Sequence, residues 1–79
     1  MNWKTILERD GPAAWRAAYR LLDNAADADD CLQEAVLGAM QLSAREPIAY
    51  WRALLTRLAS ARAMDRLRQR YRSKVSNGC

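Results

Sequence analysis

Tyr50-Trp51-Arg52-Ala53-Leu54-Leu55-Thr56-Arg57-Leu58 is the stretch whose reading decides the fold, and it runs on through Arg62, Arg66, Arg68, Arg70 and Arg72 to Lys74. Its apolar residues recur at three- and four-residue steps, from Ile48 through Trp51, Leu54, Leu55 and Leu58 to Ala61 and Met64. That period puts them on one face of a helix. Working outward, the same steps join Trp15, Ala18, Tyr19 and Leu22, and again Leu32, Ala35, Val36, Ala39 and Met40. No apolar alternation over five or more residues marks a strand, and Ala, Leu, Arg, Gln and Glu, all good helix formers, dominate. The pattern predicts an all-α fold, a compact bundle of three to four helices with a long basic C-terminal helix.

Breakers set the expected boundaries. Residues 2 to 9 read as a short first helix stopped by Asp10-Gly11, and Pro12 suits the first turn of a second, which ends at Asp23-Asn24. A third opens near Asp27, with Asp27 as N-cap and Asp30 as the acid of a capping box, and runs to about Leu42, roughly 24 Å. Ser43 to Glu46 read as a loop, and Pro47 as the start of a fourth helix reaching about Arg72, roughly 39 Å. The expected division is one domain over residues 1–72, with 73–79 as a frayed tail or the start of a linker. Trp3 is placed to cap the bundle.

Composition narrows the function. Nine of the thirteen basic residues follow position 44 against two acids, Glu46 and Asp65, a net of +7, whereas the first 44 residues hold four basic residues against seven acids. Such a split implies two partners, a polyanion for the basic half and something else for the acidic half. No apolar stretch approaches a membrane span and no signal-peptide core is present, so no membrane partner is expected. Cys31 and Cys79 make no disulfide framework, which points to a reducing cytoplasm. The chain has no histidine and no Gly-rich phosphate loop, so neither an enzyme, nor a metal site, nor a cofactor is expected.

Two constellations remain. Asp27-Ala28-Asp29-Asp30-Cys31-Leu32-Gln33-Glu34 is either a solvated helix start, where the macrodipole favours acids, or a docking face for arginines of a partner. Arg62, Arg66 and Arg70 repeat every four residues as a cationic stripe, extended by Arg57 and Arg52 and broadened by Arg68 and Arg72. Only Asp65 lies close in sequence to pair with it, so the stripe reads as a phosphate-binding face rather than a salt-bridged one. Tyr50, Trp51 and Arg45 add aromatic and cationic surface suited to unstacked bases.

At these residues the chain resembles a family. Ala28-Asp29-Asp30-Cys31-Leu32-Gln33-Glu34-Ala35-Val36-Leu37 is similar to the acidic signature of region 2 in bacterial RNA polymerase sigma factors of the extracytoplasmic-function type. Leu55-Thr56-Arg57-Leu58-Ala59, continuing through Ala63-Met64-Asp65-Arg66-Leu67-Arg68, resembles that region's next block, and Asp10-Gly11-Pro12 with Trp15 and Tyr19 suits its start. The likeness spans roughly residues 10 to 72. Val36 and Met40 stand where aromatics are usual, Gly38 where a basic residue is common, and Ser60-Ala61 where an Arg-Asn pair is frequent. The second domain of such factors is not in the sequence, so an excised domain or an incomplete factor is expected.

The resemblance implies that Asp29, Asp30, Gln33 and Glu34 bind the clamp helices of the RNA polymerase core's largest subunit. It implies that Arg45, Tyr50, Arg57, Arg62, Arg66 and Arg70 bind promoter DNA, mainly the non-template single strand, whose −10 element is recognised and melted with one base flipped out. An anti-sigma factor is left open as a further partner. The alternative is a helical interaction module whose basic helix binds nucleic acid or an acidic protein without melting a promoter.

Overall fold

The computed structural model describes residues 2–77, with side chains as far as Arg72. Three helices make an all-α bundle: α1 (Trp3–Leu22), α2 (Ala25–Arg45) and α3 (Trp51–Asn77). The expected break at Asp10-Gly11-Pro12 is absent, and α1 passes through it. Proline inside a helix removes one hydrogen bond and costs about 3 kcal/mol. Here Pro12 and Glu8, whose carbonyl would have been its partner, both lie on the exposed side, where water can serve. Ile6 and Ala14, on either side of the interruption, bury the same helix face, so packing holds both halves in line.

Two residues join α1 to α2. Asp23 closes α1 in the left-handed conformation (φ 51°), its N–H donating to the Tyr19 carbonyl at 2.7 Å. Asn24 is the N-cap of α2, its Oδ1 accepting from the Asp27 backbone N–H at 3.0 Å. Asp27 is thus not the cap but the third residue of α2, and Asp30 is one turn too late for a capping box. At the other end α2 runs on to Arg45, through the residues expected to form a loop. Ser43 Oγ donates to the Met40 carbonyl inside the helix, and no residue before Glu46 breaks it. Glu46 is extended, as the residue before a proline tends to be, and α3 begins at Trp51 rather than Pro47. The backbone stays helical through Asn77, where a polar tail was expected, while Gly78 and Cys79 lie outside the described residues.

The core is a seam of small side chains. Ala14 and Ala18 of α1, Ala28, Cys31, Ala35 and Ala39 of α2, and Ala59 and Ala63 of α3 are buried together with Ile6, Leu22, Trp51 and Leu55. On α2 and α3 this stripe lies beside the one expected. Leu32, Val36, Leu54 and Leu58 flank it half-buried, and Tyr19, Met40 and Met64 are exposed. Alanines let helix axes approach closely, so the larger side chains close over the rim. Trp3 packs edge-on against Trp51 with ring centroids 4.9 Å apart, at the end of the bundle where it was expected.

Candidate functional site at the charged seam of α2 and α3

Because α3 doubles back after the 46–50 loop, the N-terminal half of α2 lies against the C-terminal half of α3. The acidic cluster and the arginine stripe therefore meet. Arg62 Nε lies 3.6 Å from Glu34 Oε2. Arg66 reaches three carboxylates, Asp27 at 3.4 Å, Glu34 at 3.3 Å and Asp30 at 3.7 Å. Arg70 pairs with Asp27 and also donates to the Leu22 carbonyl at 3.4 Å, tying α3 to the end of α1. The expectation that the stripe lacks nearby acids is thus overturned. The acids hydrogen-bonded to it lie 32 to 43 positions away, where no local scan finds them. Asp65, the one acid close in sequence, braces Arg68 at 3.4 Å.

Arg66 is the centre of this seam, its side chain only 29% exposed. Partial burial works to lower its pKa, but the Cys31 sulfur, Glu34 and Asp30 outweigh that, and the guanidinium is held above its ordinary range. Beneath it, burial pushes the Cys31 thiol up against the pull of Arg66.

The remaining expected docking residues are arranged differently. Asp29 turns toward α1, where its Oδ1 accepts from Trp15 Nε1 at 2.7 Å, and Trp15 in turn stacks on Tyr19. Among the described residues Asp30, 58% exposed, makes only the long contact to Arg66, and Gln33 is exposed. One and two turns further along the same side of α2 lie Leu37, 60% exposed, and Met40. That face of α2 is acidic and amide-bearing at one end and apolar at the other.

The expected nucleic-acid residues fall into two groups. Arg62, Arg66 and Arg70 are in the seam. Arg45 and Arg57 are exposed and have no ion pair among the described residues, and Tyr50 is 78% exposed. Arg45 sits at the C-terminal end of α2, beside the 46–50 loop that leads to Tyr50. Arg57 shares the outward side of α3 with Met64 and Tyr71, and Tyr50 immediately precedes that helix, all of them exposed.

A second charged cluster was not foreseen. Asp10, its side chain 3% exposed, accepts from Arg9 (Nε 3.2 Å, Nη2 3.1 Å) and from Arg52 Nε (3.2 Å). Arg52 also donates to the Arg9 carbonyl at 3.5 Å. The hydrogen bonds from Arg9 lower the Asp10 pKa against the opposing effect of burial, with Arg52 adding to them. The clamp pins the start of α3 to α1 and borders an open cleft of about 520 Å³ lined by Tyr50, Arg52 and Thr56. The available signal was Asp10 itself, which falls in four-residue step with Ile6, Ala14 and Ala18 on a core face.

Among the described residues no helix is long and apolar enough to cross a membrane and no cluster of His, Cys, Asp and Glu could hold a metal ion. A family model described as Sigma-70 region 2 matches residues 6–73. No curated protein and no solved structure matches the chain.

Proposed function

The chain belongs to the Sigma-70 region 2 family, a domain of transcription initiation sigma factors that act with RNA polymerase core and promoter DNA, and from that premise we propose a division of labour between its two faces. The outward face of α2 docks on the clamp helices of the polymerase's largest subunit. Asp29, Asp30, Gln33 and Glu34 meet cationic side chains there, and exposed Leu37 and Met40 extend the contact. The observation that carries this reading is that face: among the described residues its exposed acid Asp30 makes only a 3.7 Å contact to Arg66, and the amide of Gln33 and the apolar Leu37 and Met40 beyond it stand exposed. A large apolar residue left exposed beside a polar rim marks an interaction surface.

The other face engages the −10 element in the manner of an extracytoplasmic-function factor. Arg45, the 46–50 loop and Tyr50 border the flipped base, and Arg57 makes the first phosphate contact because it is unpaired among the described residues. Arg62, Arg66 and Arg70 continue the path, in competition with the acids of α2. Strand opening of this kind needs no covalent chemistry. It costs on the order of a few kcal/mol, offset by stacking of the freed base and capture of the backbone. Work on polymerase places the protein's action in the cytoplasm, and an anti-sigma factor would find the same α2 face to cover.

Charge reversal at Asp30 tests the docking face, since its only ion pair among the described residues is the 3.7 Å contact to Arg66. Asp30→Arg is expected to abolish binding to isolated clamp helices while leaving helical content and thermal midpoint near the parent's. Reversal at Glu34 is a poorer probe, because it would place a third cation beside Arg62 and Arg66. Parent-like binding by Asp30→Arg would exclude this face.

A further inference from the structure

Glu34 stands in two roles at once. It is one of the four residues assigned to polymerase docking, and it is the only acid paired with Arg62 among the described residues, as well as the nearest carboxylate to Arg66. A carboxylate that turns to a cation on another protein gives up these two arginines. Resting on the division of labour proposed above, we infer that Glu34 is a handover residue: docking of a cationic helix on α2 releases Arg62 to the phosphates of a single-stranded nucleic acid.

The three arginines respond in graded fashion. Arg62 has no other ion-pair partner among the described residues and is released outright. Arg66 loses Glu34, and Asp30 when that residue is engaged too, but keeps Asp27, which the docking set does not include. Arg70 keeps Asp27 and the Leu22 carbonyl, so docking at Glu34 does not release it. Asp27 is accordingly the residue that keeps the seam closed at its far end while the Glu34 end opens.

Linkage makes the effect reciprocal: if the partner helix strengthens strand binding by some factor, the strand strengthens partner binding by the same factor. The size is set by exposed pairs. Arg62 and Glu34 are about half exposed, and such pairs correspond to about a two- to five-fold change in an equilibrium constant. The handover therefore biases the order of assembly without blocking either site.

The experiment uses the 79-residue chain and a fluorescein-labelled oligothymidylate, followed by anisotropy at one low salt concentration. Glu34→Gln imitates the docked state by removing the competing carboxylate, and Glu8→Gln makes the same change in net charge at an exposed site for which no ion pair is found among the described residues. Glu34→Gln is expected to tighten strand binding about two- to five-fold and Glu8→Gln distinctly less. Arg62→Gln is expected to leave the parent's affinity nearly unchanged but to cancel the gain in the Glu34→Gln background. Equal tightening by the two glutamine variants, or a gain that survives Arg62→Gln, overturns the handover. Failure of the underlying reading looks different: Arg57→Gln would bind the strand as well as the parent, because the unpaired arginine would then make no phosphate contact. Thermal melts of each variant verify that the fold is intact.

Discussion

Gly11 is buried in the middle of α1, yet a methyl group on its Cα would meet nothing within 4 Å beyond its own helix and chain neighbours. Its φ is not positive, so the freedom of glycine is unused in the folded state and only adds entropy to the unfolded one. Gly11→Ala is therefore expected to stabilise the domain by about 0.5–1 kcal/mol, read as a rise in thermal midpoint. A fall instead would mean that the turn at Pro12 needs the missing side chain. Asp10, beside it, gives a pH signature. Its folded pKa is lowered by Arg9 and Arg52, so its contribution is complete above the unfolded carboxylate range and is lost as pH falls through the folded value. Asp10→Asn is expected to melt below the parent at neutral pH, with the gap closing in acid below about pH 4. A gap that stays constant into acid would remove the carboxylate from the account.

At the level of elements, each boundary that was misplaced from sequence has a local cause. Proline and glycine at 11 and 12 are strong breakers on average, but the α1 face on both sides of them is apolar and packing overrides propensity. Asp27 looked like a cap because it opens an acidic run, while Asn24, three residues earlier, has the side-chain oxygen in place. Asn24→Ala is accordingly expected to cost about 1 kcal/mol, a midpoint shift of about 4–8 °C for a domain of this size. The comparison variant is Asn24→Asp, which keeps an accepting oxygen and should hold the midpoint. The all-α character and the Asp23-Asn24 joint were legible because helical periodicity and turn chemistry act over a few residues. The register of the core stripe was not. Alanine carries little signal in a pattern of large apolar residues, and alanines fill most of the seam.

Across the whole molecule, what sequence concealed was the meeting of distant charges. The domain measures 50 × 24 × 15 Å, and its long axis suits α3, whose 27 residues span about 40 Å. The net charges of the two halves were legible. That they lie against each other depends on the direction in which α3 returns, and no local pattern records that. Family likeness suggested residues for both faces but gave no sign that Glu34 pairs with Arg62 and Arg66.

Cys31 gives the seam a clock. Its sulfur is fully buried under Arg66, and burial keeps it in the unreactive thiol form. A thiol reagent can reach it only when α3 lifts from α2, so with Cys79 replaced by serine the labelling rate at low reagent measures the fraction of time the two helices are apart, and its plateau at high reagent measures how often they part. The same thiol is a built-in reporter of local opening, readable without any nucleic acid or polymerase in the tube.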